Sequence, residues 1–79
     1  MLIRSQDKQV LVNIEQINMI EIESIGAFNK IVAYNGRYFT SIGFYTQGER
    51  AYDVLNDIWI AYGMQKRLYA MPQDDAESE

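Results

Sequence analysis

Two carboxylates are the residues of this 79-residue chain whose type and spacing come closest to a chemical site. Glu21 and Glu23 lie two positions apart in a run with alternating apolar residues, so both would point to one face of a strand. That arrangement suits acid–base catalysis or a hard cation such as Ca²⁺. No nucleophile, glycine-rich phosphate loop or third ligand lies nearby in sequence. We therefore predict a solvated strand face, no metal or cofactor, and a protein that is not an enzyme.

The composition excludes several further chemistries. The chain contains neither Cys nor His, so it has no disulfide, no thiolate or imidazole metal site, and no Cys- or His-based nucleophilic catalysis. No small-molecule substrate is evident from any motif. The length accommodates one domain with a single thin core.

The negative charge is concentrated at one end. The net charge is −4, but all seven bases and seven of the eleven acids fall within residues 1–73, which are therefore neutral. Nucleic-acid binding requires clustered Lys and Arg, and the longest basic run is Lys66-Arg67. The dispersed bases therefore disfavour nucleic acid as a partner.

The hydropathy pattern predicts a cytoplasmic protein. No apolar stretch reaches the roughly 18–20 residues of a membrane span. Arg4 and Asp7 interrupt the segment that a signal peptide would need to be apolar. We therefore expect no membrane association.

Short β-prone runs separated by turn residues predict an antiparallel meander of four to five strands. The runs are Leu2-Ile3, 10–12, 17–23, 28–34 and 37–45. Asn35-Gly36 suits the positive backbone angles of a two-residue type I′ hairpin. If these two residues form the loop, one face of the hairpin carries Ile31, Ala33, Ile42 and Phe44, and the other carries Phe28, Tyr34, Phe39 and Tyr45. The first set is the better core face.

The second half of the chain predicts one amphipathic helix. Thr46 and Glu49 have the spacing of a capping box, and a helix that starts there would gather its apolar residues on one arc and end near Gly63. Residues 68–71, before Pro72, favour extended backbone and a short edge strand. The predicted fold is thus α+β: an antiparallel β-meander of four to five strands, one amphipathic helix packed on one face, and a possible short C-terminal edge strand. The domain would span 1–72, and 73–79 would be an acidic disordered tail.

Several segments resemble a known group of proteins. They are Ile-Arg-Ser-Gln-Asp-Lys at 3–8, Ile-Gly-Phe-Tyr-Thr at 42–46, Glu-Arg-Ala at 49–51, Val-Leu at 54–55 and Met-Pro-Gln-Asp at 71–74. Together they resemble small proteins of Gram-positive bacteria and their mobile elements, of prophage type. The matching segments look structural, and the resemblance implies no activity and no functional residue.

The residues favour a non-catalytic interaction module that associates with itself or with another protein. Phe28, Tyr34, Phe39 and Tyr45 would form an aromatic patch on the sheet face that one helix cannot cover. Ile60 falls on the polar side of the helical wheel, so it is either exposed or covered by a partner. The alternative function is weak binding of single-stranded nucleic acid by the same aromatics, with Lys30 and Arg37 as the only cations on that face.

Overall fold

The computed structural model describes residues 1–74 and confirms the α+β class. Its elements are β1 (Leu2–Arg4), β2 (Leu11–Asn13), a 3₁₀ turn (Ile14–Gln16), β3 (Met19–Ile25), β4 (Phe28–Asn35), β5 (Tyr38–Tyr45), α1 (Gly48–Gly63) and β6 (Leu68–Ala70). The helix packs on one face of the longer strands, as the apolar arc predicted.

The strands form two sheets, which corrects the single meander of four to five strands. β3, β4 and β5 make an antiparallel large sheet, and β2, β1 and β6 make a small sheet in that order. The first hairpin does not continue into the meander because β1 pairs in parallel with β6, which follows the helix. The predicted C-terminal edge strand is therefore confirmed, and its partner is the first strand of the chain.

The β4–β5 hairpin is present, but its register differs from the predicted one. Asn35 pairs with Tyr38, so Gly36 and Arg37 are the loop residues. Of these two loop residues, only Gly36 has a positive φ, of 64°. One positive φ at the first loop position is typical of a type II′ turn, whereas type I′ requires two. The side chain of Asn18 accepts a hydrogen bond from the Gly36 N–H, which anchors the turn in this register.

A β-bulge in β5 exchanges two aromatic residues between the faces of the large sheet. Val32 pairs with Ser41 but Ile31 pairs with Gly43, so Ile42 is an extra residue in β5. One inserted residue reverses the alternation of everything beyond it. Tyr45 therefore points into the core and is 0% exposed, and Phe44 points away from it. The predicted placement of these two residues is wrong.

The helix buries the predicted stripe but lacks the predicted capping box. Its buried residues are Ala51, Val54, Ile58 and Ala61. The helix begins at Gly48 with Gln47 at the N-cap, and no side chain caps it. The Thr46 N–H donates instead to Asp74 Oδ2 at 3.1 Å, so Glu49 does not fill the role predicted for it. The end of the helix at Gly63 is as predicted.

Residues 71–74 lie against the domain, although the predicted tail began at residue 73. Met71 is buried, and its Sδ-methyl end lies so close to Gly43 that a Cβ there would approach Met71 Cε to 2.9 Å. The Tyr45 hydroxyl donates to the Pro72 carbonyl at 2.6 Å, and Gln73 Nε2 donates to the Gln6 carbonyl at 2.9 Å. The remaining positions of the predicted tail, 75–79, lie outside the described residues.

Candidate interaction surfaces

The face of the large sheet opposite α1, here called the outer face, carries most of the predicted site residues. Its residues fall into four rows across the strands: Ile25 and Phe28; Glu23, Lys30 and Phe44; Glu21, Val32 and Ser41; and Met19, Tyr34 and Phe39. The first and last rows are apolar or aromatic, and the middle rows carry the charges. The outer face is thus apolar at both ends and polar across its centre.

Both apolar ends of the outer face are accessible. Phe44 is 49% exposed and packs beside Ile25, Phe28 and the Lys30 stem in a shallow depression of mainly apolar surface. At the other end Phe39 is 65% exposed, and its ring centroid lies 6.0 Å from that of Tyr34. Tilted aromatic contacts at this distance are favourable and keep both rings in place.

The centre of the outer face is ordered by contacts between its own side chains. Val32 is only 1% exposed although it lies on the side away from the helix, because the flanking side chains close over it. Lys30 Nζ lies 4.0 Å from Glu23 Oε1, the limit of an ion pair. Such exposed pairs contribute little free energy, so their main effect here is on the position of the charges.

The Tyr34 hydroxyl contacts both carboxylates of β3, Glu21 and Glu23. Its single proton is shared between Glu23 Oε2, the nearer acceptor, and Glu21 Oε2 at 3.0 Å. The hydrogen bond to Glu23 raises the pKa of Tyr34 above its usual range, and the same bond lowers the pKa of Glu23. Within residues 1–74 no group of three acidic residues is placed to hold a metal ion. The contacts with the Tyr34 hydroxyl give this negative pair a defined position on the surface.

The predicted site residues divide between three places. Phe28 lies at one end of the outer face and Tyr34 and Phe39 lie at the other, so the predicted single aromatic patch is divided in two. Tyr45 is in the core, because of the bulge, and cannot contribute to a surface. Ile60 is exposed on α1, away from the sheet.

Sequence reasoning missed three outer-face residues. Met19 and Ile25 share the alternation of Glu21 and Glu23, so the period of two along β3 was the signal that could have found them. Phe44 gave no such signal, since its side depends on the bulge.

A second apolar surface lies between the helix and the open edge of the large sheet. This α1–β3 groove has a volume of about 390 Å³ and is lined by Ile20, Tyr52, Leu55, Asn56, Ile58 and Trp59. Trp59 is 75% exposed. Trp is among the residues most enriched at the energetic centres of protein interfaces, so the exposed Trp59 makes this groove a candidate contact site.

The opposite edge of the large sheet is covered along the second half of β5. Gln6 N–H donates to the Ile42 carbonyl at 2.8 Å, and the Gln6 side-chain amide accepts from Phe44 N–H at 2.9 Å and donates to the Phe44 carbonyl at 3.0 Å. Gln6 thus takes the place of a neighbouring strand along part of β5. Of the two sheet edges, only that of β3 has no such cover among the described residues.

Comparisons of the chain with protein families, with curated proteins and with solved structures found no match. In the described part of the chain, α1 is too short and too polar to cross a membrane.

Proposed function

We propose that this chain is a non-catalytic protein-interaction module that associates with a second copy of itself through the outer face. The observation that supports this proposal is the row order of that face, which runs apolar, polar, polar, apolar along the strands. Exposed apolar surface concentrated on one face, with aromatic side chains at both ends, is typical of a contact site.

The row order favours a second copy as the occupant because it is self-complementary. A two-fold axis that lies between two facing sheets and crosses their strands at right angles exchanges the two ends of the face. The end with Phe28 and Phe44 then meets the end with Phe39 of the other copy. The same rotation lays β3 over β3, so Glu21 of one copy faces Glu23 of the other with Lys30 in the neighbouring column. The apolar ends, and not the charges, therefore favour this association.

The size of the outer face indicates a weak dimer. Three strands about 4.8 Å apart and about seven residues long cover roughly 14 Å by 24 Å. The projected area is about 340 Å², which is below the roughly 800 Å² per partner of stable complexes. We therefore expect reversible association that depends on concentration.

The carboxylates of the outer face weigh against the alternative function. A surface that stacks single-stranded bases on its aromatics also needs cations for the phosphates. Glu21 and Glu23 lie on the same face as Lys30 and would repel a nucleic-acid backbone.

Sedimentation velocity from about 10 µM to about 1 mM, the range in which weak dimers form, tests the proposal. We expect the sedimentation coefficient of the parent chain to rise with concentration. Phe39→Ser combined with Phe44→Ser removes one ring from each end and should leave a folded monomer throughout. Leu11→Ser, which removes an exposed apolar side chain from the small sheet, is the matched control and should behave like the parent. A parent that stays monomeric at about 1 mM, or a double variant that associates like the parent, refutes the proposal.

A further inference from the structure

We propose that the β3 edge and the α1–β3 groove bind an extended segment of another protein, which adds to the large sheet as a fourth strand. The segment would alternate apolar and basic residues. This site shares Glu21 and Glu23 with the outer face but uses the strand edge and the groove, and it concerns a different partner, so it goes beyond the proposed self-association.

The backbone of β3 is available for pairing along its length. β3 spans seven residues at one end of the large sheet and is paired only with β4. Within residues 1–74, no backbone hydrogen bond joins it to any other element. An exposed edge of this length presents a row of unpaired N–H and C=O groups to an incoming strand.

The other described edges are poorer templates. Gln6 covers the edge of β5 at Ile42 and Phe44, which leaves at most residues 38–41 for pairing, a shorter run than the seven residues of β3. The outer strands of the small sheet, β2 and β6, have three residues each, so they offer few backbone groups for pairing. Of the described strands, β3 is therefore the best candidate for strand addition.

The groove accommodates the side chains at every second position of the added strand. Ile20 and Ile22 point to the helix side of β3, so alternate residues of an added strand would do the same. There they would lie over the groove next to Ile20, Leu55 and Trp59. These neighbours are apolar, so the side chains that enter should be apolar as well.

The charge on the outer side of β3 determines which side chains the added strand should carry at its remaining alternate positions. Glu21 and Glu23 alternate with the isoleucines and are held in place by the Tyr34 hydroxyl. Residues directly opposite on a neighbouring strand interact, and opposite charges stabilise the pair whereas like charges destabilise it. Basic side chains on the added strand would face these two carboxylates. The partner is therefore an apolar–basic segment and not an acidic one.

The probe for this site is the blocked peptide Lys-Val-Lys-Ile-Lys-Val-Lys, added to the full chain labelled with ¹⁵N. We expect it to shift the amide resonances of residues 19–25 and the indole resonance of Trp59, and not those of β5. A peptide with Glu in place of Lys should not bind. Equal shifts with both peptides, or shifts that leave β3 unaffected, overturn the proposal.

Backbone methylation separates strand addition from simple adhesion. A strand offers alternate N–H groups to each of its two edges, so methylating only one alternate set blocks pairing with β3. Of two peptides methylated at the odd or the even amides, one should lose binding and the other should keep it. Equal binding by both methylated peptides contradicts an added strand.

Variants of the chain test the two sides of the site. Trp59→Ala should weaken peptide binding about tenfold, as expected for a central aromatic contact. Glu21→Gln with Glu23→Gln should weaken it several-fold and reduce its dependence on salt. Phe39→Ser with Phe44→Ser should bind the peptide like the parent, so failure of self-association and failure of this site are distinguishable. Parent-like affinity in the Trp59→Ala variant refutes the groove as the binding surface.

Discussion

The two edges of the large sheet are treated in opposite ways. Along β5, Gln6 supplies backbone and side-chain hydrogen bonds, and residues 71–74 pack beside it. Along β3, the neighbouring space is a groove, and alternate residues of the strand are acidic. Closing the β5 edge recruits residues from both the first loop and the last described segment of the chain. The β5 edge is thus protected by tertiary contacts. The β3 edge is left open, and its charges limit which strands can join it.

Among the substitutions that test this difference between the edges, Met71→Ala should cause the largest loss of stability. Met71 is buried beside Gly43 and Tyr45, so truncation leaves a cavity under the covered edge. We expect a loss of about 2–5 kcal/mol in the free energy of unfolding, measured by urea denaturation. Met64→Ala, at an exposed position after the helix, is the matched control and should change stability by less than about 0.5 kcal/mol. Equal small effects of both variants would mean that residues 71–74 do not stabilise the β5 edge.

Gln6→Ala should have a moderate effect, because it opens the covered edge without making a cavity. The variant removes the side-chain hydrogen bonds to Phe44 and to the Pro72 carbonyl. Water can replace part of them, so we expect a loss of about 1 kcal/mol, together with faster hydrogen exchange of the Phe44 amide. In the same loop, Gln9→Ala should leave both quantities unchanged. Unchanged protection of the Phe44 amide in Gln6→Ala would contradict the role given to Gln6.

Tyr34→Phe should have the smallest effect on stability and a clear one on titration. The Tyr34 hydroxyl lowers the pKa of Glu23 from its ordinary value near 4.5, so the ionised carboxylate stabilises the fold above that pH. This contribution is lost as the pH falls through the lowered pKa. In the variant the pKa of Glu23, followed by ¹³C NMR, should rise towards its ordinary value. Tyr52→Phe, an exposed tyrosine on the helix, should leave the pKa of Glu23 where it is in the parent, and the same result for Tyr34→Phe would count against the contact.

Local patterns predicted the elements of the fold well. Alternation identified β3, the Asn35-Gly36 pair located the hairpin, and the apolar arc identified the buried face of α1. Each of these signals arises within a few neighbouring residues, so no tertiary information was needed.

Contacts between distant residues could not be predicted in the same way. The bulge at Ile42 changes the side of Phe44 and Tyr45, and it accompanies a hydrogen bond from Gln6, far away in sequence. Similarly, the Thr46 N–H, which the predicted capping box assigned to Glu49, donates to the carboxylate of Asp74, 28 positions away. The predicted side of the sheet was therefore correct for Phe28, Tyr34 and Phe39 and wrong for Tyr45, whose side depends on the bulge.

The parallel pairing of β1 with β6 has a consequence for how the chain acquires its structure during synthesis. Gln6 and Pro72, which meet beside this pair, are 66 positions apart. At about 5–20 residues per second, the ribosome needs roughly 3–13 s to make the intervening chain. Throughout that time β1 has only β2 as a partner, because β6 has not been made, and the β5 edge lacks the cover of residues 71–74. The large sheet and its helix can form early, but the small sheet is completed only when residue 70 has left the exit tunnel.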